Sequence, residues 1–246
     1  MHSKPRTTPT AVAAEICAVL RRDGSAEHAK GVQWFFKEEV RSHGWYAADL
    51  RTLARHYRRS IQKPFGLEFL VRVADRLFSS RVLEEKVFAV LLLENVSGSL
   101  DDSHCVLFES WLDRICSWAD HDALVHYLIG PMIVSKPTRL KKILRWARSP
   151  HRWHRRAACV ALIHGTRQRK FFPAIKKLSS LLLKDQDDMV QKGLGWLLRE
   201  SVKADPKRAV PFLLKIRGHA PRLVLRTACE TLPARERKQI LVKRVQ

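Results

Sequence analysis

The chain has 246 residues, with 46 Lys and Arg against 24 Asp and Glu, a formal charge of +22 and 46% hydrophobic residues. That apolar content excludes a disordered basic tail. A folded body carrying so many cations points to a polyanion partner, because neutralising phosphates releases condensed counterions.

No segment alternates with period two between hairpin turns, whereas apolar residues recur at helical spacing throughout. In chain order the pattern predicts helices over 9–22, 27–42, 47–61, 66–79, 84–96, 103–117 and 120–129. It then predicts 137–147, 151–165, 170–184, 188–203, 206–216, 220–231 and 233–243. The breaks carry turn residues, among them Asp23-Gly24, His43-Gly44, Gly130-Pro131 and Asp205-Pro206. Short connections between similar helices suggest antiparallel neighbours stacked in series.

Three segments align without gaps: WHRRAACVAL from Trp153, MVQKGLGWLL from Met189 and LVLRTACETL from Leu223. Each places a cation fourth, then small and apolar residues. Extended backwards, the register reads Arg51, Lys86, Asp122, Arg156, Lys192 and Arg226, with steps of 34 to 36 residues. That period suits a helix-pair solenoid. The expected fold is all-α: a curved, HEAT-like helical-repeat solenoid with a basic concave face, one domain over 1–246. Residues 1–24 are expected to form an N-terminal cap with a disordered lead, and 233–246 a basic C-terminal cap.

Asp122 is the one anion in this ladder. Surrounding cations favour its ionised form. A carboxylate there would repel DNA if binding were its only task, but it suits stabilisation of positive charge developing on a sugar that loses its base. The alternative is that Asp122, with Asp120, serves as an N-terminal acid or cap of its helix. Trp118 and Trp196 lie four residues from Asp122 and Lys192, so each pair shares a helix face suited to packing on sugar or base. Trp153 reads as core; Trp34, Trp45, Trp111 and Trp146 read as core or interface.

Other chemistries find little support. Cys17, Cys105, Cys116, Cys159 and Cys229 are odd in number and irregular in spacing, with no CxxC. That suggests reduced thiols and argues against a disulfide frame or structural zinc. His104, His121, His126, His151 and His154 read as surface or DNA-proximal. HExxH and the phosphate-loop pattern are both missing, so no metal or other cofactor is expected. No secretory leader and no apolar run of membrane-spanning length is present, which suggests a cytoplasmic, nucleoid-associated protein with no membrane partner.

SWADHDAL (117–124), SPHRWHRRAACVAL (149–162) and QKGLGWLLRE (191–200) resemble signature segments of the AlkD-like bacterial DNA alkylation repair family. WFFKEE (34–39) and DLRTLARHY (49–57) resemble its N-terminal pattern. The resemblance spans roughly residues 28–232. It implies a HEAT-like DNA glycosylase that removes positively charged N3- or N7-alkylated purines from duplex DNA; since that chemistry needs no lysine nucleophile, monofunctional hydrolysis leaving an abasic site is expected, with no obligate protein partner. It implies catalytic Asp122 with Trp118 and Trp196 beside it, and DNA-binding Arg156 and Arg199; Phe36 falls close to a family aromatic. Lys192, Arg226, Lys86 and Arg51 join the DNA-binding set from the ladder. The chain departs from the family at Ala119 and His121, where bulkier residues are common, and at Phe36, where a tyrosine can occur. A non-catalytic HEAT-like protein recognising DNA or RNA structure explains charge and repeats equally well, and a protein-interaction scaffold explains the repeats.

Overall fold

The computed structural model describes residues 7–242, and these form helices with no strand. They divide into two compact units, Met1–Leu128 and Ile129–Gln246.

The first unit opens with α1 (Pro9–Arg22). Thr8 caps it by accepting from the Ala11 N–H, Pro9 sits where a missing N–H costs nothing, and Val12, Ala13, Ile16 and Leu20 form its buried stripe. α2 (Ala26–Val32) and one 3-10 turn (Gln33–Phe35) follow. The predicted helix over 27–42 stops there, and the chain turns extended at Phe36. The physical reason is a set of side-chain ties to the backbone, local from Gln33 and long-range from Glu84. The Gln33 amide donates to the carbonyls of Phe36 and Glu38 and accepts from the Val40 N–H. The buried Glu84 carboxylate then accepts from Ser42 Oγ and from the backbone of His43 and Gly44, at 2.5 to 3.0 Å. Gly44 has φ +78°, and a Cβ there would fall 1.9 Å from the Ser25 carbonyl oxygen, so this turn requires glycine.

α3 (Ala47–Phe78) runs through Pro64 and breaks at Gly66, where φ is +78°, which is the boundary expected between 61 and 66. α4 (Leu83–Glu94) is buried nearly all round, with Phe88 through Leu93 inside, as befits the helix lying between α3 and α6 (Trp118–Leu124). α5 (Asp102–Trp111) precedes α6 and ends in a 3-10 turn, Leu112–Arg114. Phe78 and Trp111 stack with centroids 4.2 Å apart at the centre of this unit.

The second unit holds α7 (Gly130–Ser135), α8 (Leu140–Trp146), α9 (Arg152–Val160), α10 (Ile163–Arg167), α11 (Phe172–Leu182), α12 (Asp188–Ala204), α13 (Pro206–Ile216), α14 (Arg222–Ala228) and α15 (Ala234–Leu241). Its axis of packing is α12, which lies between α9 and α14. Two glycines permit that approach. A Cβ on Gly193 would stand 3.1 Å from Cγ of Arg156 on α9, and one on Gly195 would stand 2.6 Å from Cβ of Thr227 on α14.

The repeat is therefore structural. Arg51, Asp122, Arg156, Lys192 and Arg226 are each the fifth residue of their helix, and Lys86 is the fourth of its own. The helices that carry them pack in series, α3–α4–α6 in one unit and α9–α12–α14 in the other. Of the expected caps, residues 1–6 and 243–246 lie outside the described residues.

Candidate active site and nucleic-acid interface

α6 removes the capping reading of Asp122. Its capping acid is Asp120. Asp120 Oδ1 accepts from the Ser117 N–H at 2.7 Å and from Ser117 Oγ at 2.5 Å, and Oδ2 accepts from the Cys116 N–H at 2.9 Å, completing a capping box. Asp120 is wholly buried in this task. Asp122, one half-turn on, takes no part in the cap. Its Oδ1 lies 2.7 Å from Nδ1 of His121, whose side chain is fully enclosed, while the Asp122 side chain keeps 18% exposure. A carboxylate only accepts, so Nδ1 of His121 carries the shared proton and orients the acid. The helix continues as a π-turn over Val125–Ile129, a widening that often accompanies functional sites.

Trp118 lies one turn before Asp122 on the same face of α6. Phe36 stacks on it with centroids 5.0 Å apart and planes 20° off parallel, and the Trp118 indole N–H faces the Phe35 carbonyl at 3.4 Å. The loop tied down by Gln33 and Glu84 thus delivers Phe36 to the Trp118–Asp122 helix face. The structure brings these three predicted residues together in the first unit. Sequence reasoning missed His121 as a positioning group; its only signal was adjacency to Asp122. His121 and His104 are both buried, which removes the surface half of their expected reading as surface or DNA-proximal histidines. His104 serves the α5 cap with Asp101.

The ladder cations fare unequally. Lys86 is 1% exposed, and its ammonium donates to the carbonyls of Phe78 at 2.9 Å and Arg114 at 2.6 Å. Burial pushes its pKa below the ordinary lysine value, opposed by the Asp120 charge. The expectation that Lys86 contacts DNA is therefore corrected: it is a structural ammonium tying two carbonyls. Arg51 pairs with Glu94 and lies over the Tyr127 ring at 5.2 Å.

In the second unit Arg156 is 5% exposed and donates to the Met189 carbonyl at 2.6 Å. Lys192 is 41% exposed and 3.4 Å from Asp188. Arg199 pairs with Glu230, Arg226 is exposed, and Trp196 is half-buried one turn after Lys192 on α12. Trp153, Trp111 and Trp146 are core as expected. Trp34, expected as core or interface, is 91% exposed in the 3-10 turn and so is not core.

The model of the family described as DNA alkylation repair enzyme matches residues 16–232. The chain belongs to that family. Its role accordingly lies in DNA alkylation repair. A solved structure described as "Predicted DNA alkylation repair enzyme from Enterococcus faecalis" has the same fold, with a TM-score of 0.77 at 17% identity, over 86% of this chain and 97% of that one. None of the curated proteins compared with this alkylation repair family member matches it. Among the described residues, no helix is long and apolar enough to cross a membrane.

Proposed function

We propose that this member of the family is a monofunctional DNA glycosylase that hydrolyses the N-glycosidic bond of positively charged N3- or N7-alkylated purines in duplex DNA. The observation that carries the reading is Asp122: helix capping is done by Asp120, and Asp122 is instead held by a buried histidine beside a stacked aromatic pair.

Departure of a cationic alkylpurine takes the bond electrons onto the base, which leaves neutral, and puts positive charge on the sugar. Asp122 stabilises that charge and orients the water that adds to C1′; the water's remaining proton passes to the carboxylate or to solvent, and an abasic site remains. A leaving group that is already cationic needs no strong acid, so the base need not be enclosed in a deep pocket as in most base-flipping enzymes. Trp118, stiffened by Phe36, packs on the deoxyribose, and Trp196 on the backbone. Lys192, Arg226 and Arg199 hold phosphates, Arg51 adds positive charge in the first unit, and Arg156, fixed on the Met189 carbonyl, contributes charge from beneath.

The test is release of 7-methylguanine or 3-methyladenine from alkylated duplex DNA. Wild type is expected to release base and leave abasic sites, and Asp122→Asn to lose about 100-fold or more in rate while still binding DNA. No release by folded, DNA-binding wild type overturns the reading; release unchanged in Asp122→Asn removes Asp122 from the chemistry.

A further inference from the structure

α11 and α13 of the second unit enclose a groove of about 660 Å³, which contains none of the residues assigned above to DNA. Its floor is apolar: Phe172 and Phe212, whose rings meet edge to face at 6.1 Å, with Leu183, Pro211 and Ile216. Its rim is cationic. Lys176, Lys177 and Lys184 stand on the α11 side, and Arg208 and Lys215 on the α13 side, with Arg208 also 3.4 Å from Asp205. None of the described residues lining the groove is acidic.

The helical lining positions fall on one stripe of each helix, from Phe172 to Ser180 on α11 and from Arg208 to Ile216 on α13, with Leu183, Lys184 and His219 just past the helix ends. With 11 residues at 1.5 Å each, α11 is about 16 Å long, room for roughly three turns of a partner helix. The α11 wall is also fixed in place. The turn before it holds Arg169 at φ +57° and Phe171 at φ +67°, left-handed conformations that cost non-glycine residues free energy. They persist because the Phe171 ring occupies the space where Gly165 lacks a side chain, the Lys170 N–H donates to the Gly165 carbonyl at 2.8 Å, and Arg169 Nε donates to the Ala204 carbonyl at 3.0 Å.

We propose that this groove docks an acidic amphipathic helix of a partner protein. Apolar side chains at successive turns would enter between Phe172 and Phe212, and flanking carboxylates would meet the lysines of both walls, the helix-in-groove mode of peptide recognition. Charge selects this occupant. A second copy of a +22 chain is repelled, and so are the chain's own terminal residues, which include Lys4, Arg6, Lys243 and Arg244. A single nucleic-acid strand is less well served, since perpendicular phenyl rings and aliphatic side chains offer no pair of parallel faces for stacked bases. The inference stands independently of the glycosylase reading.

The experiment selects phage-displayed random 15-residue peptides on the full chain and maps the enriched peptide by amide hydrogen exchange. The expected consensus places apolar residues at i, i+4 and i+7 with flanking Asp or Glu. Protection should fall on 172–184 and 206–219, and Lys176→Glu/Lys215→Glu should weaken binding at least about tenfold while base release and duplex-DNA affinity stay unchanged. No enrichment, a consensus without acids, or protection elsewhere overturns the proposal. So does a thymidine 20-mer that protects the same segments and displaces the peptide.

Discussion

Asp120 and Asp122 sit two residues apart on one short helix and do opposite things. The first spends both oxygens on three donors at the helix start, as the acid of a capping box. The second accepts from Nδ1 of His121 at 2.7 Å, a bond that orients it. On the proposed reading His121 is a positioning residue. His121→Ala is expected to lower single-turnover base release by about tenfold, the equivalent of roughly 1.4 kcal/mol of transition-state stabilisation, with little change in DNA affinity. His121→Asn, whose side-chain amide can donate to the same carboxylate, is expected to recover part of that rate. A loss of rate in His121→Ala matched by an equal loss of folded protein, with no recovery in His121→Asn, would reduce His121 to packing. The sequence identified Asp122 by its place in the repeat but left its two readings open. The partners of Asp120, all within four residues of it, remove the capping reading and leave the proposed one.

At the level of elements, period and punctuation located most helices, because their signals are local: Asp23-Gly24 ends α1 and Asp205-Pro206 opens α13, although Gly130-Pro131, read as a break, opens α7 directly after the π-turn. What stayed hidden depended on distant partners. The helix over 27–42 ends early because Glu84, some forty residues on, holds the backbone of His43 and Gly44. Lys86 is withdrawn from the ladder because its ammonium reaches the carbonyls of Phe78 and Arg114. The two glycines of QKGLGWLLRE combine both kinds of information: visible in the sequence, explained only by packing. Gly195 lets α12 approach α14 so closely that a Cβ would lie 2.6 Å from Thr227 Cβ and 3.2 Å from the Val224 carbonyl oxygen. Gly195→Ala should therefore destabilise the protein by about 1–3 kcal/mol through overpacking, despite the better helix propensity of alanine. Gly31→Ala, which meets nothing within 4 Å, should not. Chemical denaturation of the two variants measures the contrast, and equal stabilities would show that α12 and α14 separate at little cost.

For the whole molecule the governing quantity is the excess of 46 cations over 24 anions, which makes DNA binding a matter of how many phosphates are neutralised. Each phosphate contact contributes about 0.9 to the slope of log affinity against log salt on duplex DNA. Net charge alone cannot say which cations contribute, because a lysine inside the fold adds to the total without meeting a phosphate. Exposure separates them. Arg226 and Lys192 stand at the surface of the second unit, whereas Lys86 is 1% exposed in the first. Arg226→Ala and Lys192→Ala are each expected to lower the slope by about 1 and to leave the melting temperature nearly unchanged. Lys86→Ala is expected to do the reverse. It leaves two carbonyls without their donor and empties the space of a long side chain packed 4.4 Å over the Phe78 ring, so the melting temperature falls while the slope holds. Fluorescence titrations of a labelled duplex across a salt series, beside calorimetric melts of the same preparations, read both quantities. A slope that drops in Lys86→Ala would mean that its ammonium leaves the two carbonyls to meet DNA, and one that holds in both surface variants would place the phosphate contacts on other cations.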